Sequence, residues 1–176
     1  MNFYLVRHCL VPRQGVCYGR SDVVAQALSD CERKRLLSSL PEASAMLKFS
    51  SPLSRCQALA NFLWGDASSD DRLAELDFGV WEGVPWDDIS REALDQWAAS
   101  PLMFSPPEGE SFKVLIRRVA LWRRDACLRA REQGLDHVAA VSHAGVIKAM
   151  AVLCNGVSVA QALAMQVPYA EALHFR

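Results

Sequence analysis

Short apolar runs alternate along the chain with stretches of helical period. Phe3, Tyr4, Leu5 and Val6 stand in a row, and the polar pair Arg7-His8 ends the run. A run this short reads as a buried strand, not a helix, and a strand buried on both faces suits a parallel sheet. Pro12, Gly15 and Gly19 break any period between Cys9 and Gln26. From Leu28 to Leu40 the spacing turns helical. Ser29 and Glu32 make a capping box, Leu36, Leu37 and Leu40 give the stripe, and Pro41 stops the helix. Ala45 to Ser50 reads as a second strand. Ser51-Pro52 then predicts a helix start, with Ser51 as N-cap and Pro52 at the first helical position. Leu53, Cys56, Ala60 and Leu63 share one face of that helix, and Arg55 lies in its first turn, off that face.

Leu73 to Gly83, LAELDFGVWEG, mixes acidic, aromatic and glycine residues and fits no regular element. A helix is expected from about Trp86 to Ala98, then a Pro-rich loop from Pro101 to Gly109. The longest helix spans about Ser111 to Gln133, with Phe112, Leu115, Val119, Trp122 and Ala126 as its buried stripe and Gly134 at its end. Lys113, Arg117, Arg124 and Arg131 lie opposite, as a solvated face. Val138 to Val141 is a further strand. Ser142-His143 ends it, and Ala144-Gly145 leads into a helix from Val146 to Leu153. Strands and helices thus alternate, which predicts one α/β domain over residues 1–176: a three-layer α/β/α sandwich with a mainly parallel central sheet. Ligands of such sheets sit outside the carboxyl ends of the strands. Right-handed crossovers bring those ends to one edge. His8 and His143 are at strand ends, and Arg55 opens the helix after another.

Composition removes several function classes. The net charge of −1 favours neither nucleic acid nor an anionic membrane. No uninterrupted apolar stretch is long enough for a bilayer, and the N-terminus has no basic start followed by an apolar run. The six cysteines (Cys9, Cys17, Cys31, Cys56, Cys127 and Cys154) form no CxxC pair. That spacing argues against a zinc site and a disulfide framework, and for a reducing, cytoplasmic setting.

Two arginines, two histidines and a helix N-terminus make a site for a dianion, because guanidinium forks and free helix N–H groups both match phosphate oxygens. Imidazole can serve as a covalent nucleophile. Flanking cations keep its nitrogen lone pair available, and a carboxylic acid nearby can protonate a leaving oxygen. Glu75, Asp77 and Glu82 are the candidates for that acid. No residue cluster has the spacing of a catalytic metal site, so no cofactor is expected. A cysteine nucleophile at Cys9 is excluded, since Arg13 follows after only three residues, too few for backbone N–H groups to wrap a phosphate.

LVRHC at 5–9, SSPLSRC at 50–56, LAELDFGVWEG at 73–83 and VSHAGV at 141–146 occur in that order. Together they resemble the histidine phosphatase superfamily, with its phosphoglycerate mutase-like fold. The resemblance implies a phosphohistidine intermediate, with His8 as nucleophile, Arg7, Arg55 and His143 as phosphate pocket, and Glu75 as general acid. Glu82 and Asp77 read mainly as loop support. GVCYGRSD at 15–22 and the closing PYAEALHFR resemble the branch that contains α-ribazole phosphatases. That branch implies hydrolysis of α-ribazole 5′-phosphate in cobalamin assembly, with Tyr18 and Arg20 at the pocket mouth. PPEGES at 106–111 resembles a loop bordering the family's site, which places Glu110 and Ser111 beside substrate; Glu82 is counted with them. Departures are Cys9 where the family has Gly, Leu10-Val11 for a polar pair, and no clear match for a phosphate-binding Asn, for which Gln14 stands in. The partner expected is a small phosphorylated metabolite, with neither nucleic acid nor membrane, and a homodimer is allowed. Alternatives are a general sugar-phosphate phosphatase, a phosphoglycerate mutase-like enzyme, and a non-catalytic binder of phospho-ligands. The binder is disfavoured because both His8 and Glu75 are present.

Overall fold

The apolar run near the N-terminus forms the middle of strand β1 (Asn2–Arg7) in the computed structural model, which describes residues 1–13 and 15–176. Its alternating side chains go to opposite sides. Phe3 and Leu5 enter one core and Val6 the other. β1 is flanked on both sides. β4 (His137–Ser142) pairs with it in parallel, Asn2 opposite His137 and Arg7 opposite Ser142. β5 (Ala172–Phe175) pairs antiparallel on the other side, Val6 opposite Ala172. β2 (Met46–Ser50) lies parallel to β4, and a two-residue β3 (Ser68–Ser69) lies parallel to β2. The order is β3-β2-β4-β1-β5, a mainly parallel sheet.

Helices cover both faces, as parallel strands demand. On one side α4 (Phe112–Glu132) and α5 (Ala144–Asn155) bury their apolar stripes against Phe3, Leu5, Leu47, Phe49, Val138 and Ala140. Trp122 of α4 is fully buried and meets Phe3 and Phe49 edge-on, with ring centroids at 5.8 and 5.6 Å. Truncation of such a side chain costs about 3–5 kcal/mol. On the other side α1 (Asp30–Ser38) and α2 (Ser54–Leu63) pack Leu36, Cys56, Leu59, Ala60 and Leu63 against Val6, Cys9 and Val141. The Ser29–Glu32 capping box forms as the residues suggest. α6 (Val159–Ala164) packs Leu163 onto the α4–α5 side.

Three expectations change. Trp86 to Ala98 is not one helix: a 3-10 turn (Trp86–Asp88) precedes α3 (Arg91–Ala99). Ile89 is extended and buried in the small core of Cys17 and Trp81, and Ser90 restarts the chain as N-cap by accepting the Ala93 N–H. The helix after β4 begins at Ala144, two residues earlier than its apolar period suggests. Ser51 is not the N-cap of α2. That helix starts at Ser54 with Leu53 in the cap position and no capping bond from Leu53. Instead Asp22, from the irregular segment, accepts both the Ser54 N–H at 2.9 Å and its hydroxyl at 2.7 Å.

Candidate active site

The parallel ladder continues one step past the strands. His8 N–H donates to the Ser142 carbonyl at 3.0 Å, and Ser51 N–H donates to the Val141 carbonyl at 2.9 Å. That extra rung holds Ser51 in the sheet, which is why it does not cap the helix. It also sets Arg7-His8, Ser51 and Ser142-His143 side by side at the carboxyl edge of three neighbouring strands. The first turn of α2 adds Arg55 from below.

His8 is buried, 2 % exposed. Its Nδ1 lies 2.7 Å from the carbonyl oxygen of Cys9. A carbonyl only accepts, so Nδ1 carries the ring proton and Nε2 keeps a lone pair. Burial first, then Arg55 and Arg7, pull the imidazole down to about 4, against the Cys9 carbonyl, which favours the charged form. The ring is therefore neutral at neutral pH. Its centroid is 5.2 Å from that of His143, edge to face. His143 occupies the N-cap position of α5 and is fully buried. Burial and the nearby Arg55 hold it well below the usual imidazole range. Burial also pushes the Cys9 thiol up, so it stays neutral and unreactive.

The two arginines are held with their forks partly engaged. Arg55 is 2 % exposed; it donates from Nη1 to the Ser21 carbonyl at 2.8 Å and from Nη2 to the Gly19 carbonyl at 2.6 Å. Arg7 donates from Nη1 to the Val167 carbonyl at 2.6 Å. The Nε of both is buried and has no hydrogen-bond partner among the described residues. Two cations with orphaned donors beside two neutral imidazoles make a place that an anion would satisfy. Each arginine also lies against an aromatic face. The Arg7 guanidinium sits 3.6 Å from the Tyr169 ring centroid, and Arg55 lies 5.6 Å from that of Tyr18. Tyr169 also neighbours His8, at 5.7 Å between ring centroids. The Tyr18 phenol is pushed up to about 12 by burial and by Tyr169 beside it.

Glu75 reaches the same corner. Both its oxygens accept the Gly145 N–H at 3.1 Å, and Oε1 also accepts the Leu76 N–H at 2.9 Å. Gly145 has no room for a side chain, since a Cβ would run into the Glu75 carboxylate. Glu82 is engaged elsewhere: it accepts the N–H groups of Arg20, Ser21 and Phe78 and the Ser21 hydroxyl. It thereby clamps the segment whose carbonyls hold Arg55. Asp77 accepts the Gly79 N–H at 2.9 Å.

The remaining expected residues are tied up outside the histidine pair. The Arg20 guanidinium lies 3.7 Å from both Asp77 and Glu110. Glu110 is paired with Arg118. Ser111 caps α4 by accepting the Val114 N–H at 3.4 Å. Gln14 lies outside the described residues. Tyr169, Ser51 and Asp22 were not singled out as site residues. Tyr169 had no signal beyond the closing segment's likeness to a family branch, and its contact with Arg7 spans most of the chain. Among the described residues, no three His, Cys, Asp or Glu side chains converge as a metal site needs.

A family model described as the histidine phosphatase superfamily (branch 1) matches residues 3–176. The chain belongs to that superfamily. It is a member of a family of phosphatases and mutases, and its sheet and helices have the phosphoglycerate mutase-like arrangement. Among solved structures it is similar to TTHB049 from Thermus thermophilus, at 25% identity and TM-score 0.73, covering 99% of this chain and 92% of that one. It is also similar to a phosphoglycerate mutase from the same organism, with the same identity, coverage and TM-score. A candidate alpha-ribazole-5'-P phosphatase from Escherichia coli superposes with TM-score 0.81 at 23% identity, over 99% of this chain and 89% of that one. No curated protein matches the sequence. His8, at the end of the first strand, lies edge-on to the histidine after β4. No helix of the described residues is long and apolar enough to cross a membrane.

Proposed function

We propose that this chain is a metal-independent phosphomonoesterase that works through a phosphohistidine on His8. The observation that carries the reading is the Nδ1 contact of His8 with the Cys9 carbonyl, which leaves Nε2 unprotonated beside Arg7 and Arg55, each with an orphaned Nε. In the reaction, the Nε2 lone pair attacks phosphorus and the P–O bond to the substrate alcohol breaks. Glu75, entering as the acid, gives its proton to the leaving oxygen. Water then attacks the phosphohistidine, Glu75 takes a proton back, the P–N bond breaks and inorganic phosphate leaves. Arg7, Arg55 and His143 hold the phosphoryl oxygens throughout, where charge on them is stabilised most. The arginines supply the positive charge that a metal ion provides in other phosphatases.

The substrate assigned is α-ribazole 5′-phosphate, hydrolysed to α-ribazole in a cytoplasmic step of cobalamin assembly. The GVCYGRSD segment and the name of the Escherichia coli neighbour support it, as does the presence of Tyr18 and Tyr169 against the two arginines, where aromatic faces can meet a flat base. A mutase reading has the Thermus phosphoglycerate mutase in its favour. The test is rapid quench with labelled phosphomonoester, followed by a substrate panel. The expected result is an acid-labile, base-stable adduct, absent in His8→Ala, and phosphate release favouring the α-ribazole ester over 3-phosphoglycerate. An adduct on cysteine, or none at all, overturns the mechanism; a preference for glycolytic phosphates overturns the substrate alone.

A further inference from the structure

Ser51 is fully buried and, no longer a helix cap, has no role in the reaction as described. Its Oγ lies 2.7 Å from Nε2 of His143. The same oxygen accepts the Leu53 N–H at 3.4 Å. The hydroxyl hydrogen therefore needs an acceptor. The Cys56 sulfur, itself 3.4 Å from Nε2, is a weak one, whereas an imidazole lone pair is a strong one. A serine that donates to Nε2 leaves the single proton of a neutral imidazole on Nδ1, whose sole neighbour among the described residues' hydrogen bonds is that sulfur, at 3.9 Å. We propose that Ser51 is a positioning residue that holds His143 as its Nδ1–H tautomer, so that the ring's free nitrogen donates to the phosphoryl group. The other tautomer would turn a lone pair toward an anion and repel it. The inference rests on the phosphate-binding role given to His143 above.

The charged and titratable groups around the ring are Arg55 and Cys56 of α2, Arg7 and His8 at the end of β1, and Arg118 of α4; Glu75 meets α5 two residues further on. Burial and the three arginines keep the ring neutral, so which nitrogen carries the proton matters.

Nitrogen-15 NMR of histidine-labelled wild-type protein reads the tautomer directly, with His143 assigned by its loss in His143→Gln. The expected result at neutral pH is a protonated Nδ1 and a bare Nε2, with Nδ1 the nitrogen that responds to added inorganic phosphate. In Ser51→Ala the proton moves toward Nε2, and kcat falls at least about tenfold with KM little changed. Ser51→Thr, which keeps the hydroxyl, retains most of the rate. A wild-type His143 protonated on Nε2 overturns the proposal even if Ser51→Ala does not fold. A Thr variant no better than Ala overturns it as well. Failure of the phosphatase reading shows separately, as absence of turnover in a protein whose tautomer is still readable.

Discussion

Replacing Glu82 with Gln removes a charge and almost no volume, and its consequence can be followed donor by donor. One oxygen of Glu82 takes the Arg20 N–H at 2.7 Å and the Phe78 N–H at 3.2 Å; the other takes the Ser21 N–H at 2.6 Å and the Ser21 hydroxyl. Gln keeps one acceptor oxygen. At the other position its amide hydrogens meet the Ser21 N–H, donor against donor, while the hydroxyl turns and accepts. Hydrogen bonds to a charged group contribute about 1.5–3 kcal/mol each. One is lost and the others weaken, but the partly exposed site tempers the loss, so about 2 kcal/mol at neutral pH is expected. Burial alone would raise the Glu82 carboxyl, but the Ser21 hydroxyl and the three N–H donors outweigh it and hold it below the usual value. A carboxyl depressed in the folded state stabilises above its unfolded pKa, and that contribution disappears as pH falls through the folded value. Urea unfolding should therefore show the full gap between wild type and Glu82→Gln at neutral pH and a narrowing gap through the carboxylate range. Because Glu82 clamps the Gly19 and Ser21 carbonyls that hold Arg55, the variant should lose activity by a similar factor on alkyl and aryl phosphates. A stability loss under about 0.5 kcal/mol, a gap that stays constant in acid, or a strong leaving-group dependence would refute this account of Glu82.

Glu75→Gln should behave in the opposite way. Alkyl phosphates, whose leaving oxygen needs a proton, should lose about 100-fold or more in kcat/KM, and an activated aryl phosphate far less; equal losses on both would remove Glu75 as the acid. The acid limb of kcat/KM should lie near the His8 value of about 4: below it the nucleophile is protonated and inactive, above it free. The same depression weakens folding as pH drops from the ordinary value of 6.5 toward 4, because the unfolded imidazole takes a proton there and the folded one does not. A limb at the ordinary histidine pKa would contradict the buried, neutral ring. Activity should persist in excess chelator, and a loss restored by magnesium or zinc would count against a site charged by arginines alone.

What could be read from the chain was local. The strand that delivers Arg7-His8, the Ser29–Glu32 box and the stripe of α4 each follow from residues a few positions apart, and all three form. The strand end at His143 was equally plain. β3 is two serines, with no apolar signal, and exists because β2 offers an open edge. β5 is four residues whose antiparallel pairing depends on β1 at the far end of the chain. The site was legible in its motif residues and illegible in its supports. Tyr169 meets Arg7, Gly145 meets Glu75 and Ser51 meets His143 only after folding. Ser51-Pro52 spells a helix start, but Ser51 extends the sheet ladder and its hydroxyl meets His143, so the helix begins three residues later at Ser54. Arg55, read as lying off the apolar face, is nonetheless buried, because carbonyls of the 19–21 segment and the Tyr18 ring enclose it.

The sheet order has a kinetic consequence. β1 carries the nucleophile, yet both its neighbours come from far along the chain: Asn2 pairs with His137 and Phe3 with Phe175. Closing such long loops costs entropy before any ladder bond repays it, and non-local parallel pairing slows folding. The local helices α1, α2 and α4 can form early, while β1 waits as an apolar segment with two open edges. The strand on which the chemistry depends is thus the one exposed longest during folding, and its apolar face is where wrong pairing between chains would begin.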